Sequence, residues 1–290
     1  MNFKDIFKYT PPTNYNFIIK PTNSIQPPED STSKKIYSNI NKNLDYIKSV
    51  YNTLINSDIV LREFDLMAGN NKYKAFLLYI DGMADSDLIN EFILKALMPR
   101  NNNSIYVSEK NKKQPNLITK KNKEFDLNNY IYTNLMPQNS VKYETNFSNI
   151  IEGVNSGNCA LFVDSISSAF DIDVKGFKQR SIDTPNNEII IKGPQEAFVE
   201  NLRTNTSLLR RITNTENLII ENISVAKISK TKVAVCYMKN ITNLDLVSEV
   251  KYRLNNLDLD AITSTGELEQ LIEDDSSSRN PTTNINRKTR

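Results

Sequence analysis

The chain has 290 residues, 39% of them hydrophobic and 24% charged, which suffices for a sizeable core and matches about two domains' worth of chain. It contains no histidine, which excludes Ser-His-Asp and Cys-His nucleophile arrangements and every histidine-ligated metal site. With 36 basic against 34 acidic residues the net charge is +2, far from the basic footprint of a nucleic-acid binder, so no nucleic-acid partner is expected.

Residues 1–30 carry Pro11-Pro12, Pro21 and Pro27-Pro28 with no glycine, and read as a disordered arm. From Ile36, apolar residues at Ile40, Leu44, Ile47, Val50/Tyr51 and Leu54 step by three or four, predicting an amphipathic helix closed by Ser57-Asp58. Strands are expected at Ile59–Met67 and Tyr73–Ile80, joined by turn residues Gly69-Asn70-Asn71, with Asp81-Gly82 breaking the second. Asp85 is placed to cap a helix over Ser86–Met98, stopped by Pro99. Residues 100–123 form a basic, asparagine-rich insertion, read as a solvated loop or as a surface for anionic lipid. Met136–Asn139 is the expected boundary of a first α/β subdomain over 31–138.

The second subdomain, 139–275, opens with a helix around Asn146–Val154, followed by strands at Cys159–Asp164, Ala169–Lys175 and Glu188–Lys192. Gly193-Pro194 then starts the longest helix of this half, reaching Thr213, because proline is tolerated in a first helical turn. A hairpin follows at Leu218–Val225 and Lys232–Met238, then a helix at Leu244–Asn255, a strand at Leu257–Ile262 and a helix at Glu267–Glu273. Residues 276–290 are a polar, basic tail. The fold class is therefore α/β, in two subdomains, each a small mixed sheet flanked by helices. A shift of 158 positions lays Asp58–Ala96 on Glu216–Leu254, with Tyr79/Tyr237, Asp87/Asp245, Leu88/Leu246 and Glu91/Glu249 identical. This echo suggests two related β-β-α units.

Cys159 and Cys236 sit in apolar runs and are expected as buried, reduced thiols; two cysteines make neither a Cys₄ zinc site nor a disulfide framework. The seven glycines never reach the spacing of a phosphate-binding loop, so no cofactor, no metal and no enzyme are expected. The pairs Asp171/Asp173 and Asp258/Asp260 read as solvated strand faces. No apolar stretch approaches a membrane span, and Met1–Thr10 lacks the apolar core of a secretory signal, so a soluble intracellular chain is expected.

The stretch after Gly193-Pro194 is the most informative. At helical spacing Phe198, Leu202, Leu208, Leu209 and Ile212 share one face, while Glu196, Glu200, Arg203, Ser207, Arg210 and Arg211 share the other. Charge pairs three or four apart contribute only ~0.2–0.5 kcal/mol each, too little to account for so dense a stripe. Asn205 falls within the apolar face, where its amide must find partners, so it either pins a loop or binds a ligand. The charged residues with Asn205 are the candidate subunit or ligand contact, and the helix start at Gly193 is a weak candidate for an anion.

Ile190–Arg211, with Gly193-Pro194, Leu202-Arg-Thr-Asn-Thr206 and its arginines, resembles the signature of A subunits of GerA-type spore germination receptors. Leu78–Gly82, Asp258–Ile262 and Glu269–Asp274 are similar to further motifs of that family, over about residues 55–275 in all. Gln195, Ala197 and Ser165 depart from its pattern, and the expected end of the family's soluble region is not legible in Ser276–Arg290. The resemblance implies the cytoplasmic region of a nutrient germinant receptor in the spore inner membrane, facing the spore core and followed by membrane helices that lie beyond this chain. It implies B and C subunits as partners, a homo-oligomer through the A subunit, and coupling of germinant sensing to ion release without bond-making chemistry. The tail charges Arg279, Arg287, Lys288 and Arg290 suit a segment entering a membrane from the cytoplasm. The rival is a small-molecule binding module with a cleft between two lobes. A tightly packed inter-lobe contact would favour coupling, and a cleft lined by Asn205 and arginines would favour binding.

Overall fold

In the computed structural model Asn39 starts the first helix, its side chain accepting hydrogen bonds from the backbone N–H groups of Asn41 and Lys42. Residues 34–68, 71–98, 126–135, 140–176 and 197–273 are described; the arm, the basic insertion and the tail lie outside them. Helix α1 (Ile40–Tyr51) buries Leu44, Ile47 and Tyr51 and ends at Asn52 in the left-handed region. Leu54, expected on the same stripe, is 98% exposed because the helix has already stopped.

Strands β1 (Ile59–Ala68) and β2 (Asn71–Ile80) pair antiparallel over their whole length, from Ile59↔Ile80 to Ala68↔Asn71. β2 then pairs with β4 (Cys159–Val163), which pairs with β5 (Ala169–Ile172), and β3 (Val141–Glu144) completes a five-stranded sheet ordered β1-β2-β4-β5-β3. One face carries Phe76, Leu78 and Phe162 against α1 and α5 (Phe147–Asn155). The other carries Leu77, Leu161 and Phe170 against Ile89, Ile93, Leu97, Leu127 and Ile131. Burial on both faces explains the uninterrupted apolar runs at 75–78 and 159–163, where alternation would otherwise be required.

Asp85 caps as expected, accepting from the N–H groups of Asp87 and Leu88, but the helix it starts is not uniform. A short α2 (Ser86–Leu88) runs through a π-helical stretch, Ile89–Leu94, into α3 (Lys95–Leu97). The turn α4 (Leu127–Tyr130), continued by a π-helical Ile131–Leu135, and β3 were not expected, since the asparagine-rich sequence there shows no clear apolar period.

The remaining described residues form a smaller lobe. Helix α6 (Leu202–Thr213) leads into the antiparallel hairpin β6 (Leu218–Val225) and β7 (Thr231–Met238), then α7 (Leu244–Asn255) and α8 (Thr265–Ile272). Val225, Leu254, Ile262, Leu268 and Ile272 form its separate core.

The α/β class with two helix-flanked sheets is observed, but both sheets are antiparallel throughout rather than mixed. Three further expectations change. The divide at 138/139 cuts the five-stranded sheet, because β2 finds its second neighbour in β4 rather than closing a sheet of its own. Leu257–Ile262 is no strand; its Leu259 and Asp260 carbonyls instead accept hydrogen bonds from the hairpin loop N–H groups of Lys227, Ile228 and Ser229. Cys236 is exposed on β7, whereas Cys159 is buried and its thiol pushed well above the usual range by that burial. The 158-residue echo corresponds to the same succession of strand, strand and helix, and the caps Asp85 and Asn243 occupy matching positions. Expected strand Glu188–Lys192 lies outside the described residues, and no described helix is long and apolar enough to cross a membrane.

Candidate functional site at the junction between the lobes

The segment Asn56-Ser57-Asp58, between α1 and β1, receives the first strand of the small lobe. Ser57 N–H donates to the Ile220 carbonyl at 2.8 Å, and Ile220 N–H donates back to Asn56 Oδ1 at 3.0 Å. Asn56 Nδ2 donates to the carbonyls of Tyr51 (3.1 Å) and Leu218 (3.2 Å), so its amide works like a short piece of strand. Asn222 N–H adds a bond to Ser57 Oγ at 3.0 Å.

Arg210 of α6 closes this contact from above. Its Nε lies 2.8 Å from Asp58 Oδ2 and its Nη2 lies 2.9 Å from Asp58 Oδ1, the two-pronged geometry in which arginine binds a carboxylate most firmly. Nη2 also donates to Asn56 Oδ1 at 3.1 Å, and Nη1 to the Thr215 carbonyl at 3.2 Å. Arg210 is 1% exposed and is among the largest fully buried side chains of the molecule. Beside it, Tyr51 Oη donates to Asn155 Oδ1 at 3.0 Å and Asn155 Nδ2 donates to Glu216 Oε2 at 3.3 Å. Burial, with the Glu216 carboxylate next, raises the Tyr51 hydroxyl well above its ordinary range.

Two turns toward the start of α6 the contact changes character. Arg203 forms an ion pair with Asp81, both partly exposed to solvent. Next to it Gly82 adopts φ +85°, and a Cβ there would stand 3.3 Å from both Arg203 Cγ and Ser207 Cβ. The helix therefore rests directly on the Asp81-Gly82 turn, which only glycine enters without strain.

These contacts make part of the polar stripe, not the apolar face, the most buried side of α6. Thr206, Ser207 and Arg210 are buried, Phe198, Leu202, Leu208 and Leu209 are half-buried, and Ile212 is 74% exposed. The polar stripe faces the sheet lobe because that lobe presents a carboxylate, an amide and a glycine turn rather than an apolar surface. The helix also starts later than predicted. Asn205 accepts from Val199 N–H and donates to the Val199 carbonyl, both at 2.7 Å, which holds residues 197–201 out of helical geometry. Asn201 is the cap instead, accepting from Thr204 N–H at 3.2 Å.

Of the expected contact residues, the structure thus brings Arg203 and Arg210 together at the inter-lobe face and uses Asn205 internally. Glu200 is exposed ahead of the helix and Arg211 is exposed on it, and each engages a neighbour. Glu196 and Gly193 lie outside the described residues. Asn56, Asp58, Asp81, Gly82, Asn155 and Glu216 were not singled out. Ser57-Asp58 read only as punctuation between elements and Asp81-Gly82 as a strand break within a family-like motif, and their partners lie up to 165 residues away along the chain.

Residues 45–288 match the family described as Bacillus/Clostridium GerA spore germination protein. The chain belongs to the GerA family. It is 32% identical to spore germination protein B1 of Bacillus subtilis over 248 residues, 86% of this chain and 46% of that protein. It is 28% identical to spore germination protein KA of the same organism over 226 residues, 78% of this chain and 38% of that protein. The GerA-family chain thus spans less than half the length of these relatives. Its fold is similar to the crystal structure of the N-terminal domain of the A subunit of the Bacillus megaterium spore germinant receptor GerK3, with TM-score 0.52 and 25% identity. That match covers 83% of this chain and 80% of the other.

Proposed function

We propose that the chain is the N-terminal domain of a germinant receptor A subunit, and that it couples germinant sensing to ion release through contacts between its lobes and with neighbouring subunits. The observation that carries this reading is the buried Arg210–Asp58–Asn56 contact, which makes the position of the small lobe depend on a few polar groups of the sheet lobe. A domain that relays a state needs two arrangements close in free energy, and a polar junction between two separately packed lobes supplies that more readily than a continuous apolar core. B and C subunits of the receptor, further A subunits and the spore inner membrane are its surroundings on this view, with the domain on the core side. The four positive charges after Asp275 support that orientation.

The geometry supports coupling over the binding-module reading at the groups first considered for a ligand. The Asn205 amide is used by Val199, and the Arg210 guanidinium by Asp58, Asn56 and Thr215. In spores whose full-length receptor carries Arg210→Ala or Asp58→Ala, receptor assembly or germination should be lost; unchanged assembly and germination would overturn the proposal. A thermal-shift screen against amino acids, sugars, nucleosides and salts separates the rival, since a ligand at 100 times its Kd adds about 2.7 kcal/mol.

A further inference from the structure

We infer that α6 is a lever: its Arg210 end is a fixed pivot between the lobes, and its Arg203 end is a contact that releases. This rests on the coupling role proposed above and names the moving part. Seven residues separate Arg203 from Arg210, two helical turns or roughly 10 Å along the axis. Over that distance the environment changes completely. At the pivot, Arg210 and Asn56 are 1% and 2% exposed, and β6 is tied to residues 56–57 by a backbone hydrogen bond from Ser57 to Ile220 and by the Asn56 side chain. An uncompensated charge would be left behind if that end separated.

At the other end the Arg203 and Asp81 side chains are 49% and 37% exposed. An exposed ion pair holds weakly and is screened by salt. Beneath it lies a glycine turn with no side chain to interlock with the helix. Ser207, facing the same turn, returns its hydroxyl hydrogen to the Thr204 carbonyl of its own helix, at 2.8 Å, and sends none across. Asn205 fastens residue 199 to the helix, so the preceding chain moves with the released end. A tilt of α6 about Arg210 would therefore separate Arg203 from Asp81 and leave the 56–58 contact in place. The Asp81-Gly82 turn directly follows β2, the second strand of the sheet, so release at this point is felt at the end of a core strand.

Hydrogen exchange on the chain carrying Arg203→Ala or Asp81→Asn tests the lever. Amides of Met83 and Asn205 should exchange at least five-fold faster than in the parent, while those of Ser57 and Ile220 stay within two-fold. Raising salt should reproduce the effect in the parent and have little further effect in the variants, and Arg203→Lys should restore part of the protection. Equal acceleration at all four amides, or at none, would overturn the lever. The same substitutions in the full-length receptor in spores test the coupling reading separately. A changed germinant response without the exchange signature removes the lever and keeps the reading, and the signature without a changed response keeps the lever and removes the reading.

Discussion

The two β-β-α units of this chain have the same order of elements and matching helix caps, yet they are held by different forces. In the first, β2 lies inside a five-stranded sheet, with Phe76, Leu77, Leu78 and Ile80 all without solvent exposure. In the second, β6 and β7 form a two-stranded sheet, and much of β7 is partly exposed. A two-stranded hairpin is marginal alone, so this unit relies on α7 and α8 on one side and on polar docking to the first unit through Asn56, Asp58 and Arg210. The difference teaches that a repeated succession of elements specifies local shape, while stability follows from what each copy has to pack against.

The largest effect should come from the sheet core. Phe162→Ala, which removes the ring stacked on Phe76 at 4.6 Å, should lose ~3–5 kcal/mol and lower the denaturation midpoint of the whole chain. Asp58→Ala leaves Arg210 buried without its counter-charge and should also lose ~3–5 kcal/mol. Its signature should be local, with amides of β6 and β7 exposed to exchange and those of β2 and β4 still protected; uniform loss would erase the contrast between the units. Gly82→Ala should lose about 1–3 kcal/mol, from a left-handed backbone and a Cβ against Arg203 and Ser207, measured by urea unfolding.

The smallest effects are pH-dependent and of opposite sign. Burial raises the Asp171 carboxyl, and bonds from Asn158 Nδ2 at 2.9 and 3.0 Å only partly offset that. A raised carboxyl favours the fold while protonated, so its contribution is complete below the unfolded-state value and is lost as pH rises through the folded one. The ammonium groups of Lys72, then Lys74, paired with Asp65 at 2.9 Å, hold its carboxyl below the ordinary range, so its contribution is present above the unfolded-state value and is lost as pH falls through the folded one. Melting curves between pH 3 and about 7 should show Asp171→Asn and Asp65→Asn removing slopes of opposite direction.

Much of the fold was legible because burial on a sheet or helix face leaves a period in the sequence. The boundaries of β1, β2, β6, β7 and α7 follow apolar runs, turn residues and asparagine or aspartate caps. The junction was legible only in part. Arg203 and Arg210 stood out in a charged stripe and were candidate contact residues, but periodicity alone does not name the surface such a stripe meets. Its true partners, Asn56, Asp58 and Asp81, are short polar residues at element ends. Their role depends on which distant segment arrives there, and that is set by strand order. No local pattern encodes it. The helix start was misplaced for a related reason: Asn205 bonds backward to Val199, a side-chain contact that outweighs the helical preference of the residues before it.

The central claim is that the small lobe is positioned by a buried polar pair rather than by apolar packing alone. A double-mutant cycle on Asp58→Leu and Arg210→Met, followed by amide exchange in β6 and β7, tests it most directly. Each single substitution should destabilise the hairpin strongly by stranding a charge, while the double variant, with neither charge, should recover at least ~2 kcal/mol of the summed loss. Additive losses, within about 0.5 kcal/mol, would show that the two residues act independently and would contradict the account.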